Sequence, residues 1–225
     1  MIALLRKCKP SALIGIVALT FASSALAAER LPEVSTDGLH LVKQNDFAAV
    51  YVRPGAKFGG YDKVAILQCF VAFQRNWADN MNEENPLSVP PQEMQQIKQK
   101  LSAEFMKVFT AQVTAGGYPV VDDAAKDVLV LRPAIINLQI QAPDPMSGPG
   151  AVISQSAGQM TLYLELYDSV SSELLARVID AESAGNVGGT FGWQTSSSNL
   201  MAADEILKKW SDTLVKYLEQ ARGQG

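Results

Sequence analysis

The stretch from 128 to 184 constrains the fold more than any other part of the chain. Met160, Leu162, Leu164 and Leu166 alternate with Gln159, Thr161, Glu165 and Tyr167. That period of two belongs to a strand with one buried face. Residues 168–173 (DSVSSE) read as a hairpin turn, and 174–184 as the returning partner strand. Val128–Ile140 is a further long apolar segment with Pro133 inside it. Proline cannot donate to a ladder, so a bulge or a sheet edge is expected there. After it Ala134, Ile136, Leu138 and Ile140 alternate with Ile135, Asn137, Gln139 and Gln141, the pattern of a half-buried strand.

Residues 63–73 (KVAILQCFVAF) predict the first strong strand. Their near-continuous hydrophobicity points to a central place in a sheet. A polar loop, 75–91, carries three prolines and is longer than a simple connection needs. A helix is predicted from Pro91, with Met94, Ile97, Leu101, Phe105 and Val108 on one face, stopped by Gly116 and Gly117. Residues 118–121 predict a short strand. A proline- and glycine-rich loop spans 142–154, and a glycine-rich loop 185–192. The last helix is expected over about 200–220, with Ala203, Leu207, Trp210, Leu214 and Tyr217 facing inward and Ser198 or Asn199 as cap. The fold class is therefore α+β. The expectation is a mostly antiparallel sheet of about five strands, with two amphipathic helices on one face.

The N-terminus reads as a secretory signal peptide over 1–27. Arg6, Lys7 and Lys9 precede an apolar run over 12–22, and small residues allow a cut between Ala27 and Ala28. A run of 11 residues is short of the roughly 20 that span a bilayer. Cys8 would leave with the signal, and Ala28 stands where a lipoprotein needs cysteine. The expectation is a periplasmic or secreted protein, not lipid-anchored and without an integral membrane segment. Residues 28–60 are punctuated by glycine and proline and read as an extended lead-in. The single domain is expected over 61–220, with a flexible tail at 221–225.

Removing residues 1–27 from 225 leaves 198, enough for one core. It also removes three basic residues and no acidic one, so the formal net charge of −4 becomes −7. That argues against nucleic acid and anionic membranes as partners, since both select basic patches. Cys69 then stands alone and reads as a buried core thiol.

The chain offers little to catalysis. His40 is the single histidine, and it lies in the lead-in. One histidine and one remaining cysteine do not make a zinc site or a Cys-His nucleophile pair. Carboxylates cluster at Asp79, Glu83 and Glu84, at Asp122, Asp123 and Asp127, and at Asp180 and Glu182. The first two groups read as solvated loop charge. Asp180 and Glu182 would share a strand face, with Arg177 or a cross-strand partner as counter-ion. The 185–192 loop lacks the Lys-Ser/Thr ending of a phosphate loop. Aromatic and apolar loop residues fit recognition better: Trp77 and Met81 in the 75–91 loop, and Phe191 and Trp193 near the glycine-rich loop. They either anchor an interface or fold back on the domain.

Several strings resemble a family of bacterial envelope proteins known as domain-of-unknown-function family 3313. They are YVRPG at 51–55, YDKV at 61–64, Asn76-Trp77, GYPVVD at 117–122, Asp127-Val-Leu, Ser156-Ala-Gly and DSVSSELLARV at 168–178. Many members look like lipoproteins, from which this chain departs at Ala28. The resemblance implies a class and a compartment and no activity.

Together these readings predict an exported cell-envelope protein that is not an enzyme, needs no cofactor or metal, and binds a protein partner or assembly. The alternative is a small-molecule or lipid-binding module with an apolar cavity between sheet and helices. A carboxylate hydrolase would require two acidic side chains converging in one cleft.

Overall fold

The structure, a computed structural model, describes residues 31–44, 46–79, 90–140, 153–154, 158–183, 192–193 and 196–223. The chain divides into two units, 1–31 and 32–225. The signal-peptide reading, with Cys8, Ala27 and Ala28, lies outside the described residues.

The second unit is built on a seven-stranded sheet: β1 (His40–Val42), β2 (Ala49–Val52), β3 (Lys63–Ile66), β4 (Phe70–Phe73), β5 (Val128–Ile140), β7 (Gly158–Asp168) and β8 (Leu174–Ser183). A separate pair joins β6 (Ile153–Ser154) to β9 (Gly192–Trp193). Two long helices complete the fold, α1 (Pro91–Ala115) and α2 (Ser196–Arg222). Strand order is β1-β2-β8-β7-β5-β3, with β4 also on β5.

The sheet is mixed, not mostly antiparallel, and has seven strands where about five were expected. Both β3 and β4 run parallel to β5. The reason is the connection. Between β4 and β5 the chain crosses through α1, and a crossover of that length returns a strand in the same direction. The other neighbouring pairs of the main sheet are antiparallel.

The expected single strand over 63–73 is two short ones. β3 ends at Ile66 opposite Leu131, and β4 begins at Phe70 opposite Ala134. Three residues therefore face Arg132 and Pro133. The proline that cannot donate sits where its parallel neighbour is interrupted, so β5 itself runs on. The bulge in β5 comes later, between Ile136 and Gln139, where Asn137 takes φ +52°. Burial slips phase there, from Ile135 to Leu138. Gly158 opposes Ile140 at φ +140°, and a Cβ there would run into the Gln139 carbonyl oxygen.

Residues 28–60, expected as a lead-in outside the core, supply two strands, and Phe47 joins the main core. Residues 118–121 make only an isolated bridge, Val120 with Val64. α2 starts at Ser196, ahead of the proposed caps Ser198 and Asn199, and continues into the expected tail as far as Arg222. No helix among the described residues is long and apolar enough to cross a membrane.

Both helices pack against one face of the sheet. Leu101, Phe105, Val108, Phe109 and Val113 of α1 meet Ile206, Leu207, Trp210, Leu214 and Leu218 of α2 over Leu131, Ile135, Leu162 and Leu164. Gly116 lets the end of α1 touch Val215, since a Cβ there would collide with that side chain. Where the helix ends meet, the Arg222 guanidinium lies 4.0 Å over the Tyr118 ring. Among the described residues, the buried Tyr118 hydroxyl has no hydrogen-bond partner. An unsatisfied buried hydroxyl costs about 1–3 kcal/mol. Tyr118→Phe is therefore expected to leave stability unchanged or raise it by about 1 kcal/mol in urea unfolding, with the ring and its cation contact retained.

Candidate functional site: the open face of the sheet

Strand register sorts the side chains into rows. On the helix side, Val71, Ile135, Leu162 and Asp180 form one row across β4, β5, β7 and β8. Two rows run on the opposite side. Arg132, Glu165, Arg177, Tyr51 and Leu41 are successive partners across β5, β7, β8, β2 and β1. Phe70, Ala134, Tyr163, Ile179 and Ala49 form the next.

At the centre of this open face sits Glu165, a carboxylate only 7% exposed. It accepts hydrogen bonds from Tyr167 (2.8 Å), Tyr163 (3.2 Å) and the Arg177 guanidinium (2.8 and 3.2 Å). Arg132 lies 3.6 Å from its other oxygen. Arg177 also pairs with Asp37, and its guanidinium is 5.3 Å from the Tyr163 ring centre. Burial alone would raise the Glu165 pKa. The hydrogen bonds from Arg177 and Tyr167 outweigh it and hold the carboxyl below the usual range. These hydrogen bonds favour the ionised form of the carboxyl. The two cations, Arg132 and Arg177, are matched in number by the two anions, Glu165 and Asp37.

The face changes character toward β4. Phe70 is 64% exposed and Leu67, at the break before β4, is 48% exposed. Val130, Ala134, Ile136, Tyr163 and Tyr167 are half-buried. An antiparallel sheet with one solvated face normally carries polar side chains there. This one presents aromatic, aliphatic and arginine side chains.

Trp77, expected as a loop anchor, is 6% exposed and stacks on Phe73 at 4.4 Å between centroids. It folds back on the domain, the second of the two arrangements the sequence left open. Trp193 lies on β9, its backbone paired with Ile153. Met81 and Phe191 lie outside the described residues, as do Glu83 and Glu84. His40 is exposed on β1. Asp127 pairs with Lys63 at 2.6 Å.

Asp180 and Glu182 do share a face, but Arg177 points the other way. Asp180 accepts from the Trp210 indole (2.7 Å) and the Ala48 amide (2.8 Å), and Glu182 pairs with Lys209. Cys69 is buried, and desolvation pushes its thiol up to about 12, which makes it unreactive in the folded chain. Among the described residues, no group of three or more His, Cys, Asp or Glu could hold a metal ion. The layer between sheet and helices, where the alternative reading places a ligand cavity, holds Trp210, Phe105, Phe109, Leu207 and Leu214.

These rows could be found from sequence only in part. Tyr163, Glu165 and Tyr167 are the polar phase of a strand whose apolar phase was plain. The register to Arg177 was hidden by the irregularity between Leu166 and Tyr167.

The fold defines a mixed-sheet α+β protein with one helix-covered and one open face. The model of a family described as "Protein of unknown function (DUF3313)" matches residues 35–214, and the chain belongs to that family. No curated protein matches it. Similar solved structures include a PelC dodecamer from Paraburkholderia phytofirmans, at 12% identity and TM-score 0.34, covering 77% of this chain and 96% of that one. A minor lipoprotein from Acinetobacter baumannii is similar at 10% identity and TM-score 0.32, covering 70% and 94%. A DUF4136 family protein from Bacteroides thetaiotaomicron is similar at 11% identity and TM-score 0.33, covering 76% and 98%.

Glu165→Gln keeps the side-chain size and removes the charge. It is expected to lower stability at pH 7 by about 1–3 kcal/mol in urea unfolding, because Arg177 loses its buried partner. The sign of the pH effect follows from the lowered carboxyl pKa. The wild-type advantage is fully present above the carboxylate's unfolded value and disappears as pH falls through the folded one. Unfolding midpoints measured at pH 7 and at pH 3 check this, with the gap between the two proteins narrowing at pH 3.

Proposed function

We propose that this chain is an exported envelope protein that works as a non-enzymatic binding module, docking a protein partner on the open face of its sheet. The observation that carries the reading is Phe70, a large aromatic on β4 left 64% exposed beside Leu67. Around it stand Tyr163, Tyr167 and Arg132, and tyrosine and arginine are the residue types enriched at the energetic centres of interfaces. Phe70, Ala134 and Tyr163 are consecutive in one row, so they present a continuous strip on rigid strands instead of scattered loop contacts. Further support is the net charge of −7 after the signal is removed, which disfavours nucleic acid and anionic membrane surfaces. Export rests on the N-terminal signal pattern. The hydrogen-bonded state of Glu165 favours a structural part for it over acid–base chemistry.

A photo-crosslinking phenylalanine analogue at position 70, in cells that make the protein, should trap a defined partner. The same analogue at Val170, 61% exposed on the turn between β7 and β8, should not. In the purified complex, Phe70→Thr is expected to weaken binding by about 2 kcal/mol, roughly 30-fold. Equal or absent cross-linking at both positions contradicts the reading.

A further inference from the structure

Half of the open face is already occupied by a segment of this chain. The residues before β1 curl back over β2 and β8. Gly38, at φ +76°, makes the turn, the Ser35 amide donates to the Leu39 carbonyl (2.8 Å), and the Leu39 amide donates to the Ser35 hydroxyl (3.1 Å). The Leu41 amide donates to the Glu33 carbonyl (2.8 Å), and Val34 bridges His40. The curl drives Leu39 to full burial (0% exposed) on Ala49 and Tyr51, with Leu41, Leu174 and Ile179 packed around it. It is fastened at two further points. Asp37 pairs with Arg177, and the Tyr51 hydroxyl donates to the Pro32 carbonyl at 3.0 Å.

This small cluster is separate from the core between sheet and helices. Releasing the segment would uncover Tyr51, Ala49 and Ile179 without breaking any contact in the main core. Those residues continue the same two rows that carry Phe70, Tyr163 and Arg132. Arg177 would keep Glu165 as its partner when Asp37 leaves.

We propose that residues 32–39 are a displaceable strap, latched by Leu39 and by the Asp37–Arg177 pair, which covers the β2–β8 half of the docking face and lifts as a unit. The strap's purpose rests on the docking reading above; its existence does not. A segment held by one apolar plug and a few peripheral bonds, apart from the main core, opens on its own, at a free energy below that of global unfolding.

Amide hydrogen exchange on the full processed chain tests this without any partner. In the wild type, the Leu39 and Leu41 amides should exchange at least about tenfold faster than those of Leu164 and Val178 at the sheet centre. Leu39→Ala should speed the first pair by roughly another tenfold and leave the second pair unchanged. Asp37→Ala should act in the same direction to a smaller extent. Exchange of Leu39 and Leu41 in step with Leu164 and Val178, in wild type and Leu39→Ala alike, would overturn the proposal. Failure to cross-link at position 70 would count against docking and leave this exchange pattern standing, so the two readings fail separately.

Discussion

The buried carboxylate of Asp180 is the contact on which the arrangement of layers depends. It lies in the core row of β8 and accepts one hydrogen bond from Trp210 of α2 and another from the amide of Ala48, just before β2. A carboxylate taken out of water is costly unless its oxygens are satisfied. Here both are, and the two satisfying groups come from two other parts of the chain, so the contact ties three segments together. The indole of Trp210 is itself 1% exposed, so it too would lose a partner if the helix shifted. One polar contact inside an apolar layer therefore fixes where the last helix sits and on which face. Lys209 and Glu182 repeat the link one step nearer the surface.

With both helices committed to one face, the other must be covered by something else or left open. Its two ends differ. Over β2 and β8 it is closed by the curled segment with Leu39. Over β5 and β4 it is open, and its side chains there are not those of a solvated sheet. Between them the Glu165–Arg177 network holds the middle strands in register with charges that cancel. The open half is thus a strand-borne surface that mixes exposed aromatic and aliphatic side chains with arginine.

Much of this order was legible from the chain alone, for physical reasons that vary by element. The helix over Pro91–Ala115 announced itself through a proline at its start, a 3-4 spacing and a glycine pair. The β7–β8 hairpin followed from period two and a short turn. Parallel pairing of β3 and β4 was not visible, because near-continuous apolar runs do not say which neighbour they meet. Phe70 and Leu67 were hidden for the same reason, exposed residues inside a run that read as wholly buried. Trp77 stayed open between two arrangements, since a polar loop around an aromatic looks alike whether the ring turns outward or onto Phe73. Asp180 found its partners 30 residues ahead and 132 behind, separations that local pattern cannot reach.

The division of labour between the two faces can be measured directly by comparing the stability of one substitution on each. Asp180→Ala is expected to cost about 2 kcal/mol or more in urea unfolding, because Trp210 and Ala48 both lose a buried acceptor. Phe70→Thr, which keeps a strand-forming side chain, is expected to stay within about 0.5 kcal/mol of the wild type. If Phe70→Thr destabilises the protein as much as Asp180→Ala does, Phe70 belongs to the fold, and the open face is not a surface held ready for a partner.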